Sequence, residues 1–134
     1  MSRQVIRVAV TDTVREAAKR MRGDGVSALP VMNGEVLVGI LTERDLVDAL
    51  IDGADPRSAL VSAYMTPDPQ HAAPDDESFD VALRMLNMGV RHLPVLEAGR
   101  VVGMVSARDL LLLDSSGGSP PGRERGPTVS GSAL

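Results

Sequence analysis

The chain has no cysteine and no tryptophan, and its only other aromatic rings apart from two histidines, His71 and His92, are Tyr64 and Phe79. Without thiols there are no disulfides, no thiolate metal sites and no cysteine nucleophile. The near absence of aromatic rings removes the stacking platforms on which readers of single-stranded nucleic acid depend. A balance of 14 Lys+Arg against 18 Asp+Glu, net −4, removes the basic groove that goes with them. The composition therefore argues against a nucleic-acid partner. No stretch approaches the roughly 18 apolar residues that a membrane span needs, and the opening MSRQVIRVAVTDTV holds no continuous apolar core of the leader type. The expectation is a cytoplasmic chain that makes no use of a membrane.

What is present is aliphatic. Hydrophobic residues are 43% and charged residues 24% of 134, the balance of a globular chain whose core must be filled by Val, Leu, Ile, Met and Ala. The sequence also repeats itself. A gapless shift of 64 lays Asp12 on Asp76, Ala18 on Ala82, Arg20 on Arg84 and Met21 on Met85. It continues with Gly25-Val26 on Gly89-Val90, Leu29-Pro30-Val31 on Leu93-Pro94-Val95, Val38-Gly39 on Val102-Gly103, and Arg44-Asp45-Leu46 on Arg108-Asp109-Leu110. Two copies, each marginal alone at this length, are expected to lean on one another.

In the first copy Val14, Ala17, Ala18 and Met21 recur at helical spacing behind a Thr13/Glu16 capping box, which predicts a helix over 13–23 closed by Gly23 and Gly25. Residues 28–32 and 35–41 are two β-type runs joined by Asn33-Gly34, a strong hairpin signal. A second helix follows Thr42 and carries Leu46, Val47, Ala49, Leu50 and Ile51 as far as Gly53. In the second copy Phe79, Ala82, Leu83 and Leu86 are read as the helix face, 93–96 and 100–105 as the hairpin, and Leu110 to Leu113 as the last helix. VIRVAV, 5–10, is the leading strand of the first copy. Its counterpart is obscured by the prolines of 65–74, which disfavour a central strand. The reading is α+β: strand, helix, strand, strand, helix, twice. Repeat 1 is placed at 1–54, a linker at 55–64, repeat 2 at 65–114, and a Gly/Ser/Pro tail with nothing to bury at 115–134.

This tandem, with G-V-x-x-L-P-V before each hairpin and an apolar G-h-h-[ST]-x-R-D-L after it, resembles a pair of CBS (cystathionine-β-synthase-type) domains, a Bateman module. M-T-P (65–67), P-D-D-E-S (74–78) and M-G-V-R-H-L-P-V (88–95) are similar to stand-alone bacterial members. The resemblance covers residues 5 to 114. It implies two repeats related by a pseudo-two-fold axis and packed as one module, which commonly pairs with a second copy into a disc-shaped homodimer. It also implies a non-catalytic sensor that needs no cofactor and binds an adenosine-containing ligand, AMP, ADP, ATP or S-adenosylmethionine, in the cleft between the repeats.

Thr42-x-x-Asp45 and Ser106-x-x-Asp109 have two compatible readings. One is a helix cap, with the hydroxyl accepting from a first-turn N–H and the carboxylate reaching back. The other is a binding site, for a helix N-terminus suits a phosphate. The resemblance assigns Asp45 and Asp109 to ribose hydroxyls, and Thr42 and Ser106 to phosphate. Arg44, Arg108, Arg91 and His92 lie beside these elements and suit a polyphosphate. The base is expected against Val26, Ala28, Leu29 and Val90. Arg91 and His92 correspond to Ser27 and Ala28 in the first copy, so the two sites are not expected to bind alike. The alternative is a protein-interaction module with vestigial sites, its partner an unnamed effector, favoured by an excess of apolar helix residues. Catalysis has no support: each histidine has a plainer role, and Asp75-Asp76-Glu77 reads as the charged start of a helix.

Overall fold

The computed structural model describes residues 5–110 and 128–129. The chain falls into two compact units, one ending at Pro69 and the other beginning at Gln70. The first unit contains β1 (Val8–Ala9), α1 (Val14–Asp24), β2 (Ala28–Asn33), β3 (Val36–Thr42), α2 (Glu43–Ile51), a short 3-10 turn (Val61–Ala63) and β4 (Thr66–Pro67). The second contains α3 (Ser78–Met88), β5 (His92–Glu97) and β6 (Arg100–Ser106), after which residues 107–110 are helical.

In the first unit the strands run β1-β2-β3-β4. β1 is parallel to β2, pairing Val8 with Val31, and β2 is antiparallel to β3, pairing Ala28 with Thr42 at one end and Asn33 with Val36 at the other. The Thr13/Glu16 box forms as the sequence indicates: the Thr13 N–H donates to Glu16 Oε1 at 2.9 Å and the Glu16 N–H to Thr13 Oγ1 at 3.2 Å. Gly25 closes α1 at φ +66°, a left-handed value that costs glycine nothing. The core is Val8, Ala17, Met21, Leu29, Val31, Leu41 and Val61. The hairpin loop lies one residue beyond its expected place. Its two residues are Gly34-Glu35 rather than Asn33-Gly34, because Asn33 still pairs with Val36 and the positive φ of +64° falls on Gly34.

The second unit repeats this plan. The obscure leading strand is reduced to one parallel bridge, Ala72 to Val95, at the position where Val8 meets Val31. Ala72 donates to the Pro94 carbonyl at 2.9 Å and accepts from the Leu96 N–H at 2.8 Å, so a single non-proline residue carries the parallel contact. The proline-bearing stretch ahead of it, β4, pairs instead with β3, Gly39 opposite Pro67.

Each leading segment is tied to its helix in the same way. The Arg20 guanidinium donates to the Arg7 carbonyl at 2.8 Å and to the Asp12 carboxylate at 3.0 Å, and that carboxylate also accepts from the Ala9 N–H at 2.8 Å. Sixty-four residues on, Arg84 donates to the His71 carbonyl at 2.7 Å and stands 3.6 Å from Asp76, which accepts from the Ala73 N–H at 2.9 Å. These duplicated charges are therefore structural clamps.

The face of α3 is not the one expected. Ser78, Val81 and Met85 are buried, while Phe79 is 69% and Leu86 76% exposed, and Leu83 is also exposed. The buried row is the image of Val14, Ala17 and Met21 in α1, and of the expected residues only Ala82 packs against the core. Ser78 takes the place of Val14, and its Oγ is buried with no hydrogen-bond partner among the described residues. Replacing it by valine removes an unsatisfied hydroxyl and adds apolar contact. Ser78→Val is therefore expected to stabilise the chain by about 1 kcal/mol, read as a rise of a few degrees in the calorimetric melting temperature. A lower melting temperature would show that the hydroxyl has a partner.

The second core comprises Ala72, Val81, Met85, Leu93, Val95, Val105, Leu110 and Val129. Of the stretch 115–134, read from the sequence as a tail with nothing to bury, Thr128 and Val129 are described: Thr128 bridges Glu77, and Val129 is fully buried. The rest of that stretch, and Leu111 to Leu113 of the expected last helix, lie outside the described residues.

Candidate functional site

The residues singled out by the sequence gather at one end of each hairpin. In the first unit Thr42 ends β3 opposite Ala28 and caps α2, and the Glu43 N–H donates to the Ser27 carbonyl at 3.1 Å. Thr42, Asp45, Arg44 and Ala28 are thereby brought together, with Val26 close by in sequence. In the second unit Ser106 ends β6 opposite His92, and the Ala107 N–H donates to the Arg91 carbonyl at 2.8 Å. Ser106, Asp109, Arg108, Arg91 and His92 share that end. The aliphatic candidates separate: Leu29 and Ala28 are buried, Leu29 within the first core, whereas Val26 is partly exposed and Val90 is exposed.

The cap reading and the site reading meet in the geometry. At Thr42 the capping box is complete: Asp45 Oδ2 accepts from the Thr42 N–H at 2.8 Å and hydroxyl at 3.1 Å, and Thr42 Oγ1 accepts from the Asp45 N–H at 3.4 Å. At Ser106 the Asp109 N–H donates to Ser106 Oγ at 3.0 Å. Burial pushes the Asp45 carboxyl above its ordinary value of 3.8, against the opposing pull of the two Thr42 hydrogen bonds. A carboxyl raised in the folded state favours folding when protonated, so its contribution is fully present below 3.8 and is lost as pH rises through the raised folded value. The difference in unfolding free energy between wild type and Asp45→Asn, followed by urea denaturation from about pH 7 to about pH 3, is expected to move in favour of wild type as pH falls. Movement the other way would place the shift in the opposite direction.

A second concavity had no signal in the sequence. An open groove of about 730 Å³ in the first unit is lined by Val5, Ile6, Arg7, Arg20, Asp24 and Glu35. It contains none of the expected site residues, and Arg20 on its wall is committed to the clamp with Asp12. Among the described residues no group of three or more His, Asp or Glu side chains is placed to hold a metal ion, and no helix is long and apolar enough to cross a membrane.

Two copies of one plan, each with its parallel contact to the leading segment, its arginine clamp and its Thr/Ser-x-x-Asp turn, match a known sequence family. The CBS domain model matches residues 1–52 and 61–116. The chain belongs to the CBS domain family. Its two repeats carry the mixed helix and sheet content of that fold. It is similar to the solved CBS domain pair of protein MJ0100, described in complex with 5-methylthioadenosine and S-adenosyl-L-methionine, at 27% identity and a TM-score of 0.78, with 87% of this chain and 92% of that one covered. Among curated proteins it is 38% identical over 114 residues, 84% of the chain, to an inosine-5'-monophosphate dehydrogenase of Korarchaeum cryptofilum. It is 42% identical over 100 residues, 73% of the chain, to an uncharacterized 17.7 kDa protein of Acidianus ambivalens. The chain spans 23% of the length of the first and 60% of the second.

Proposed function

We propose that this CBS pair is a non-catalytic regulatory module that binds an adenosine-containing ligand. The observation that carries the reading is the convergence, at one end of each hairpin, of a capping hydroxyl, a partly buried aspartate one turn on, and exposed arginine. A carboxylate there accepts ribose hydroxyls, and first-turn N–H groups with arginine beside them receive phosphate. The ligands named for the MJ0100 pair support the adenosine moiety. On this reading the chain reports ligand occupancy to an effector protein, works in the cytoplasm and acts as a homodimer.

Calorimetric melting of the full chain against AMP, ADP, ATP and S-adenosylmethionine tests this directly. A ligand present at about one hundred times its Kd adds about 2.7 kcal/mol, a shift of several degrees at this size. A second reading, an assembly module whose turns serve only as caps, is favoured by one observation: α2 leaves Val47, Leu50 and Ile51 exposed, Leu50 at 78%. The absence of any shift, in folded and nucleotide-free protein, would select that reading.

A further inference from the structure

The arginine clamp recurs in both repeats, and what recurs most closely is its hold on the backbone. β1 ends the strand order of its sheet, Val8 facing Val31, and Ala72 turns both its N–H and its carbonyl toward β5 in the same way. The flanking residues, Arg7 and Ala9 in one repeat and His71 and Ala73 in the other, therefore direct their backbone polar groups outward. Ala9, His71 and Ala73 are exposed, whereas Val8 and Ala72 are buried. In the first repeat the Arg7 carbonyl accepts from Arg20 at 2.8 Å, the Ala9 N–H donates to Asp12 Oδ2 at 2.8 Å, and the Ala9 carbonyl accepts from the Asp12 N–H at 2.9 Å. In the second the His71 carbonyl accepts from Arg84 at 2.7 Å, the Ala73 N–H donates to Asp76 Oδ2 at 2.9 Å, and the Ala73 carbonyl accepts from the Asp76 N–H at 3.0 Å. The ion pair itself is reproduced less closely, 3.0 Å against 3.6 Å.

A partly exposed ion pair contributes little to stability, and water would satisfy the same carbonyls and N–H groups. What the clamp changes is their availability. A strand added to this edge would have to bond to Arg7 and Ala9, or to His71 and Ala73, whose outward groups named above are already engaged. An open row of such groups templates pairing with another chain. The neighbour best suited to it is the same edge of a second copy, because residues 5–10 carry Val5, Ile6, Val8 and Val10, a β-branched run of high strand preference, and an edge meeting its own image across a two-fold axis is self-complementary. We infer that the Asp12/Arg20 and Asp76/Arg84 pairs are edge guards, which keep a second copy of this chain from adding its leading strand to these edges.

Sedimentation velocity of the full chain over a range of concentrations tests this on wild type, Asp12→Ala/Arg20→Met and Asp76→Ala/Arg84→Met. Leu41→Ala serves as a control, weakened in its core and still guarded at its edges. Compared at the same interval below each melting temperature, both opened variants are expected to form species heavier than any in wild type at about tenfold lower concentration than Leu41→Ala does. Ala9→Pro, added to the first opened variant, removes an outward N–H at a position where an edge strand tolerates proline, and is expected to restore wild-type sedimentation. If a double variant does not fold, Arg20→Met alone, which opens only the Arg7 carbonyl, is expected to show a smaller effect of about threefold. Opened variants that fold and sediment as wild type overturn the inference. Equal association by Leu41→Ala overturns it too, since lost stability would then be the cause. Heavier species that persist in the folded Ala9→Pro variant place the contact elsewhere and likewise overturn it.

Discussion

Ending the chain after Pro127 is expected to lower its melting temperature by about 10 °C, although the segment removed is short and lies in a Gly/Ser/Pro-rich region. Val129 is fully buried among Val81, Met85 and Val95, and its N–H donates to the Asp76 carbonyl at 3.0 Å while Thr128 bridges Glu77. Burying a valine contributes about 1.5–3 kcal/mol, and the cavity left over the start of α3 adds to its loss. The first unit shows the same device: Leu60 bridges Thr13, and Val61, also fully buried, donates to the Asp12 carbonyl at 2.9 Å. Val129→Ala separates packing from backbone pairing, with an expected cost of about 2 kcal/mol. A truncated chain that melts within a degree of the full chain would show that the second core is complete without Val129. Ligand screening accordingly belongs on the full chain, since a version ending near residue 114 lacks this plug.

Gly39→Val is the second large effect, expected to destabilise by about 3 kcal/mol. Gly39 stands opposite Pro67 where β4 pairs antiparallel with β3. A Cβ added there would run into Met65 Sδ and would lie 3.0 Å from both Met65 Cγ and the Thr66 carbonyl oxygen. The methionine can swing away, but the carbonyl is backbone and can move only with the strand. Gly39→Ala is therefore expected to cost less than Gly39→Val, and Met65→Ala to rescue part of the Gly39→Ala loss but little of the Gly39→Val loss. Hydrogen exchange supplies a local readout: the Asp68 N–H donates to the Val38 carbonyl at 3.1 Å, so its protection should fall first. Undiminished stability and unchanged exchange at Asp68 in Gly39→Val would mean that β4 accommodates the side chain.

The misread face of α3 shows where periodicity runs out. Phe79, Leu83 and Leu86 satisfy helical spacing as well as Val81 and Met85 do, so hydrophobic spacing alone has no means of choosing between two stripes on one helix. The deciding signal was present in another form: the match of Met85 with Met21 puts Ser78, Val81 and Met85 on the buried row of Val14, Ala17 and Met21. A serine in that row hid it. Val129 was hidden differently. Val61 and Val129 are 68 residues apart, so the gapless shift of 64 does not superpose them, and glycine, serine and proline around Val129 mask a lone apolar residue.

Local chemistry was readable because it depends on neighbours along the chain. The Thr13/Glu16 and Thr42/Asp45 boxes, the glycine that ends α1 and the paired hairpins each require only residues a few positions apart, and the doubling of all but the first identified the repeat and its family. The sequence likewise determined which side chains gather at each hairpin end, since strand pairing and the turn into the next helix follow from those local signals. Tertiary structure decided the rest. It turned the duplicated Asp12/Arg20 and Asp76/Arg84 pairs into clamps on backbone carbonyls, chose which stripe of α3 to bury, and closed the Thr42/Asp45 box from both sides where, among the described residues, Ser106 and Asp109 make only the bond from the Asp109 N–H. These outcomes hang on contacts between distant segments and on which polar groups find a partner within hydrogen-bond reach, and spacing along a chain does not carry that information.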